Sequence, residues 1–211
     1  MQIALFGAGG MIGSRIAKEA LDRGHSVTAV SRDPAKLTLA HPEFHKARGD
    51  VLDPASITAV VLDHDAVISA FGPGHHGDAQ DVVRAARALV AGVKPAGVKR
   101  LLVIGGAGGL EVRPGLQLVD TPEFPAAWKP VAIAHRDALA VYRGADLDWT
   151  YLAPAALIQP GMRTGRYRVA GDQLLTDAEG QSRISAEDFA VAMLDELEHP
   201  HHLRARFTAA Y

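Results

Sequence analysis

Short, mostly apolar runs alternate with amphipathic segments along much of this chain. The runs predict strands at residues 3–6, 26–30, 45–48, 66–70, 101–104 and 149–152. Between them, apolar positions at helical spacing predict helices at 11–22, 54–62, 78–91 and 131–143, with a short helix from 34 to about 40. Strands and helices in this order are typical of an α/β fold with a doubly wound, mostly parallel sheet and helices on both faces.

The pattern changes after residue 105. Residues 105–130 form a long stretch rich in glycine and proline, which is typical of a functional loop or lid. Residues 162–176 predict a small hairpin around Gly171 and Asp172, and Ser185 with Asp188 predicts the start of a helix that ends near residue 198. A last short strand is expected at 207–208. We expect one domain over 1–211, with a core of about 1–154, a small substrate lobe of about 155–185, and a C-terminal helix and strand.

The first predicted strand ends in a glycine-rich turn. Its glycines follow the pattern Gly-x-x-Gly-x-x-Gly, between an apolar strand and an amphipathic helix. In a Rossmann-type fold, such a turn lets backbone N–H groups and the helix N-terminus receive a pyrophosphate. A purely structural turn is the alternative. The residues predicted to bind a nucleotide here are Gly7, Ala8, Gly9, Gly10, Met11, Ile12 and Gly13.

The residues that follow the second strand bear on the choice of cofactor. An acidic residue there would accept from the ribose 2′-hydroxyl of NADH, but this chain has Ser31 and Arg32. A hydroxyl and a guanidinium suit a 2′-phosphate, so the sequence favours NADP(H), with NAD(H) possible. Asp33 is a competing ribose acid, although Pro34 favours its use as a helix cap. Arg32 is alternatively a solvated surface residue.

Two more loops follow predicted strands and are candidates for the same ligand. Asp50 can accept from an adenine amino group while Val51 packs on the ring, although turn capping explains Asp50 almost as well. After strand four, Ala70, Phe71 and Gly72 lie where the backbone runs close to a dinucleotide.

These motifs resemble the atypical short-chain dehydrogenase/reductases, and among them the NADH-flavin reductases, the biliverdin reductase B type and the NmrA-like proteins. The resemblance covers nearly the whole chain and is more specific in its later segments, the Asp-Trp-Thr run at 148–150 and the Ile-Ser-x-Glu-Asp run at 184–188. It implies pyrophosphate binding at 7–12, 2′-phosphate binding at Ser31 and Arg32, and adenine contact at Asp50 and Val51. It also implies that the segment after strand six follows the nicotinamide, namely Pro154, Ala155, Ala156 and Leu157.

The chain departs from this superfamily in its catalytic residues. The usual Tyr-x-x-x-Lys pair is missing, because Tyr142 is followed four residues later by Asp146. Strand five ends in Gly105 and Gly106, with no serine nearby. Classical ketone reduction is therefore not expected. Hydride transfer to a flavin or quinone needs mainly proximity and alignment, and His135 is the candidate proton donor unless it only packs on its helix.

Several other residues are candidates for contact with a ligand. Phe124 and Trp128 are candidates for stacking on a planar acceptor, or for core packing. Three arginines between 163 and 168 could meet a flavin phosphate or form a solvated edge. The histidines do not have metal-ligand spacing, so no metal is predicted, although His75 or His76 could approach a substrate.

The amino-acid composition excludes several kinds of site and argues against some partners. The 211 residues include no cysteine, which excludes disulfides and thiolate metal sites, and the formal charge of −2 gives no reason to expect nucleic-acid binding. There is no apolar run of membrane-spanning length and no signal-peptide pattern, so a cytoplasmic monomer or homodimer is expected. The sequence favours an NADPH-dependent reductase of a planar acceptor. An NmrA-like NADP(H) sensor without turnover and an epimerase are its alternatives.

Overall fold

A computed structural model describes residues 1–74 and 77–211. His75 and His76, whose contact with a substrate the sequence left open, lie outside the described residues. The strands are β1 (Gln2–Phe6), β2 (Ser26–Ser31), β3 (Phe44–Arg48), β4 (Ala66–Ser69), β5 (Arg100–Ile104), β6 (Glu111–Arg113), β7 (Leu116–Gln117), β8 (Asp148–Pro154), β9 (Leu157–Gln159), β10 (Arg168–Ala170), β11 (Arg183–Ser185) and β12 (Ala205–Ala210). The helices are α1 (Met11–Asp22), α2 (Pro54–Val61), α3 (Asp81–Val93), α4 (Lys129–Arg143) and α5 (Ala186–Glu198).

The central sheet has eight strands in the order β10-β12-β8-β5-β4-β1-β2-β3. Neighbouring strands are parallel, except that β10 runs antiparallel to β12. Helices α1 and α5 pack together on one face, and α2, α3 and α4 cover the other. The predicted doubly wound α/β fold is confirmed.

The core has two layers because successive side chains of a strand point to opposite faces. In β1, Ile3 and Leu5 belong to the cluster under α1 and α5, whereas Ala4 and Phe6 belong to the cluster under α2, α3 and α4. All four are buried. Strands covered on both faces are apolar at every position, which is why the sequence reveals them as unbroken runs.

Helix caps confirm two of the predicted helix starts. The Asp53 carboxylate accepts a 3.0 Å hydrogen bond from the Ala55 amide at the start of α2. The Ser185 hydroxyl accepts a 2.9 Å bond from the Asp188 amide at the start of α5. These side chains accept from amides that have no partner within the helix. Local sequence is therefore enough to predict where α2 and α5 begin.

The predicted hairpin at 162–176 is wrong. Only the short strand β10 forms there, and its partner is β12, the last strand of the chain. The Arg168 guanidinium donates to the carbonyl oxygens of Thr176 and Tyr211, which holds the segment after β10 beside the end of the chain. The chain bends at Gly171 and Asp172, as their residue types indicate. Such a local signal does not show which distant strand pairs with β10.

Two further expectations need correction. The short helix predicted from 34 to about 40 is a single 3₁₀ turn over Pro34–Lys36, and the Asp33 side chain does not cap it. Residues 105–130 are not without structure: they contain β6, β7 and 3₁₀ turns at Ala107–Gly109, Leu118–Asp120 and Ala126–Trp128. Val119 is buried there, so this segment packs onto the body of the protein.

Candidate functional site

The turn after β1 lies against the end of β4 at the carboxyl edge of the sheet. Gly7 has a φ of +81°, and a Cβ atom at this position would lie 2.4 Å from the Ala70 carbonyl oxygen. A Cβ atom at Gly13 would lie 2.1 Å from the Gly7 carbonyl oxygen. Both positions therefore require glycine. The absence of side chains there lets α1 pack closely against the turn. Strands β1 and β4 are neighbours at the point where the strand order reverses, the usual binding place in doubly wound sheets.

A cavity of about 490 Å³, the glycine cleft, opens at this turn. It brings together residues from the ends of β1, β2, β3 and β4 that the sequence predicted as cofactor contacts. Those that line it are Gly7, Gly9, Gly10, Ser31, Arg32, Asp50, Val51, Phe71 and Gly72. Segments that are far apart in the sequence thus meet in one elongated site.

The other residues predicted at the glycine turn do not line the glycine cleft. Ala8 and Gly13 are buried behind it, and Met11 and Ile12 belong to the first turn of α1. Ala70 lies just after β4, with its carbonyl oxygen beside Gly7. These residues shape the turn from behind, while its glycines provide the exposed backbone.

The far end of the glycine cleft carries a guanidinium and a hydroxyl. Arg32 is exposed and forms no ion pair within residues 1–74 and 77–211. The Ser31 hydroxyl accepts a 3.2 Å hydrogen bond from the Asp33 amide, while the Asp33 carboxylate lies 3.4 Å from Lys36 Nζ. The nearby acid is thus partly balanced by a lysine, and the guanidinium remains available for an anion.

Asp50 caps a turn, as one of its two predicted roles requires, and it lines the glycine cleft. Its carboxylate accepts a 3.0 Å hydrogen bond from the Leu52 amide and so caps the turn after β3. Its own amide donates a 2.9 Å bond to the Ser56 hydroxyl. Asp50 nevertheless lines the glycine cleft beside the buried Val51. A capped turn holds this carboxylate in a fixed position, as recognition of a base edge requires.

A second cavity of about 420 Å³, the aromatic cavity, follows the ends of β5 and β8. Because β5 lies beside β4 in the sheet, the two cavities share the carboxyl edge. The lining is predominantly apolar and comprises Gly106, Ala107, Gly108, Leu118, Thr121, Glu123, Phe124, Pro125, Trp128, Val131, Ala132, His135, Pro154, Ala155, Ala156 and Ile158.

The two predicted stacking residues belong to the aromatic cavity. Phe124 is half-buried, and Trp128 is 59% exposed, so core packing of Trp128 is excluded. Pro154, Ala155 and Ala156 form the opposite wall. Leu157 instead begins β9 and lines a separate apolar cavity with Tyr211. The cavity thus combines two aromatic side chains with a wall from the end of β8.

His135 lies on α4 at the inner end of the aromatic cavity. Enclosure by protein lowers the pKa of its imidazole to about 4, below the near-neutral range that suits a proton donor at physiological pH. The ring is neutral at physiological pH. Tyr142, two turns further along α4, is buried in the core, and burial raises the pKa of its phenol.

The arginines that follow β9 do not line either cavity. Arg163 forms a two-point ion pair with Glu19 of α1, at 2.7 and 2.8 Å. Arg168 binds main-chain carbonyl oxygens, and Arg166 is exposed. Arg163 therefore joins this segment to α1, while its side chain stays 54% exposed. Sequence reasoning could not find this pairing, since the two residues are 144 positions apart.

Glu123 is a site residue that the sequence analysis missed. It lines the aromatic cavity between Thr121 and Phe124. No motif or spacing marked it, because it lies in an irregular loop. Among the described residues there is no group of three side chains suited to hold a metal ion. Nor does any helix in the described part combine the length and apolarity needed to cross a membrane.

A doubly wound sheet with a glycine turn at its switch point defines a dinucleotide-binding protein. The family model described as NAD(P)H-binding matches residues 7–200, so the chain belongs to this family. The resemblance to atypical short-chain dehydrogenase/reductases, and to an oxidoreductase family with NAD(P)-binding Rossmann folds, is thereby confirmed.

Solved structures support the same conclusion over the whole chain. A structure named "putative exported protein" from Burkholderia pseudomallei is 53% identical, covers 100% of both chains and has a TM-score of 0.92. One named "putative epimerase" from Bacteroides thetaiotaomicron is 40% identical, covering 100% of this chain and 96% of the other, with a TM-score of 0.92. A third, named "putative NADH-flavin reductase" from Streptococcus pneumoniae, is 33% identical and has a TM-score of 0.85. It covers 100% of this chain and 99% of the other.

Proposed function

We propose that this chain binds NADPH in the glycine cleft and reduces a planar aromatic acceptor, a flavin or a quinone, held in the aromatic cavity. The observation that carries the proposal is the position of an apolar cavity, lined by Phe124 and Trp128, at the same sheet edge as the glycine cleft. The neighbour named as an NADH-flavin reductase supports the same reaction class. We place this activity in the cytoplasm, as the sequence led us to expect.

The residues of the glycine cleft fit the dinucleotide. The exposed backbone of Gly9 and Gly10 lines the cleft and would allow the close approach that a pyrophosphate needs. Ser31 and Arg32 would hold the 2′-phosphate, and Asp50 with Val51 would frame the adenine. The segment from Pro154 to Ala156 would orient the nicotinamide at the border of the two cavities.

The aromatic cavity contributes alignment and exclusion of water. Phe124 and Trp128 would stack on the acceptor and fix its distance from the nicotinamide, which is the main requirement for hydride transfer. A bound NADPH supplies a hydride, and one proton from solvent completes the two-electron reduction of a quinone to a hydroquinone. His135 is a neutral imidazole there, so the proton comes from solvent and not from this ring.

Two other functions remain as alternatives. An epimerase would oxidise and re-reduce its substrate without net use of nucleotide, and the neighbour from Bacteroides thetaiotaomicron carries that name. It would need an acid and a base on opposite sides of the substrate. The titratable residues that line the described part of the aromatic cavity are Glu123 and His135. An NmrA-like sensor would bind NADP(H) without turnover.

The deciding experiment is NADPH oxidation measured at 340 nm with riboflavin, FMN or menadione, with NADH in parallel. Oxidation that depends on the acceptor and favours NADPH supports the proposed reductase. Tight binding of NADPH without oxidation on any acceptor would shift the proposal to the sensor. Absence of binding by either nucleotide would refute the assignment of the glycine cleft.

A further inference from the structure

The charge of the aromatic cavity limits which planar molecules can enter it. Among its lining residues, Glu123 is the only one with a charged side chain at neutral pH, since the His135 ring is neutral. The described part of the lining contains no lysine or arginine. A phosphate group bound there would meet one carboxylate and no cation.

The two arginines near the aromatic cavity, Arg136 and Arg206, bind other groups. The Arg136 guanidinium lies 3.4 Å from the Gln117 side-chain oxygen and 3.5 Å from the Asp120 carboxylate. Arg206 donates to the Gly109 carbonyl oxygen and to the Asp172 carboxylate, at 2.8 and 2.7 Å. Neither guanidinium is directed into the cavity by these contacts.

The segment after β9 does not supply the missing cation either. Arg163 is held by Glu19, and Arg168 is held by main-chain carbonyl oxygens. Lys129 follows Trp128 at the start of α4, is exposed, and does not line the cavity. Arg32, which could bind a phosphate, lies in the glycine cleft and is needed there for the 2′-phosphate under the proposed function.

We propose that the acceptor is an uncharged planar molecule without a phosphate group, a quinone or an unphosphorylated isoalloxazine, and that Glu123 is a residue that determines this specificity. The inference rests on the proposed reductase function. A phosphorylated flavin would bring its negative charge towards the Glu123 carboxylate, which is exposed at the cavity, and no cation of the described lining offsets the repulsion. The uncharged molecule uses the same stacking surface without that cost.

Riboflavin and FMN make a matched pair, because they differ only by the phosphate group. We expect kcat/KM with NADPH to be at least about tenfold higher for riboflavin than for FMN, the factor that corresponds to about 1.4 kcal/mol. Binding gives a second readout in NADP⁺-loaded protein, because a stacked flavin should quench the fluorescence of the exposed Trp128. The W128F variant retains only the buried Trp149, so the fluorescence lost in this variant is that of Trp128.

The variant Glu123→Gln should reduce the preference for riboflavin to less than about threefold, because the repulsion is removed while the size of the side chain is kept. Glu123→Lys should reverse the preference. Glu43→Gln makes the same change of net charge on an exposed residue before β3, at the opposite edge of the sheet, and should leave the preference unchanged.

The outcomes separate this inference from the proposed function. Equal or better use of FMN by an active enzyme would overturn the inference and leave the reductase standing, and it would point to Lys129 as a phosphate contact. Tighter binding of riboflavin than FMN, without oxidation on any acceptor including menadione, would support the inference and remove the reductase. Reduction of menadione alone would support the inference in its quinone form, whereas no binding or reaction of riboflavin, FMN or menadione would overturn it.

Discussion

The Tyr151 hydroxyl donates a 2.8 Å hydrogen bond to the main-chain carbonyl oxygen of His135. This bond joins β8 to α4 at the inner end of the aromatic cavity. The same hydroxyl oxygen lies 3.4 Å from His135 Nδ1, and its single proton is already used on the carbonyl oxygen. The arrangement favours the neutral tautomer with its proton on Nδ1, in agreement with the low pKa of this ring.

His135 should make folding stability depend on pH. Its imidazole has a pKa of about 4 in the folded protein against 6.5 when solvated, so the unfolded chain binds an extra proton in between. Stability should fall as the pH decreases from about 6.5 to about 4, by up to about 3 kcal/mol at 1.36 kcal/mol per pH unit. Urea unfolding at pH 8.0 and pH 4.5 would measure the loss. The His135→Gln variant controls for other groups, and an equal loss in that variant would contradict the prediction.

Substitution of Gly13 should reduce folding stability, whereas substitution of Gly10 should reduce NADPH binding. Gly13→Ala places a Cβ atom 2.1 Å from the Gly7 carbonyl oxygen and should cost about 2 kcal/mol or more of stability, despite the higher helix propensity of alanine. Gly10→Ala meets the same oxygen at 3.4 Å and should fold normally. Because Gly10 lines the glycine cleft, that variant should instead bind NADPH more weakly. Thermal unfolding and nucleotide titration on both variants would test the contrast. A stable Gly13→Ala variant would refute it.

Arg32 should distinguish the two nucleotides. Under the proposed function, its guanidinium pairs with the 2′-phosphate, and such charge-assisted hydrogen bonds contribute roughly 1.5–3 kcal/mol. Arg32→Ala should therefore raise the Kd for NADPH about tenfold or more, while the Kd for NADH stays nearly constant. Isothermal titration with both nucleotides provides the measurement. A parallel change in the two Kd values would show that Arg32 does not contact the phosphate.

Arg163 should act on stability and leave acceptor choice alone. Its two-point contact with Glu19 joins the segment after β9 to α1, and the Arg163 guanidinium is the leading cause of the lowered pKa of that carboxyl group. The arginine side chain is 54% exposed, so solvent screening limits the loss in Arg163→Ala to about 1 kcal/mol. The ratio of kcat/KM between riboflavin and FMN should not change. A changed ratio would restore Arg163 as a phosphate contact.

The parts of this fold that sequence could predict are those set by local constraints. Apolar runs identify the central strands because both faces of the sheet are covered. Asp53 and Ser185 mark helix starts because their side chains bond amides two and three residues ahead. Gly7 and Gly13 mark the turn because no other residue fits there.

The remaining features depend on contacts that no local pattern encodes. The partner of β10 comes from the end of the chain, so the turn at Gly171 was misread as a hairpin. The ion pair of Arg163 with Glu19 likewise joins distant segments. The low pKa of His135 arises from enclosure by the fold, which the identity of the residue alone does not predict.

The contact between Gly105 and Tyr151 has a consequence for the history of this scaffold. A Cβ atom at Gly105 would lie 1.9 Å from the Tyr151 ring, so no side chain fits there while the tyrosine is present. Restoring a serine at the end of β5 would thus require a smaller residue at 151 first, which would also break the hydrogen bond to His135. No single mutation can bring back the ketone-reducing residues of the wider superfamily. Any chemistry at this site would therefore proceed without a side chain at position 105.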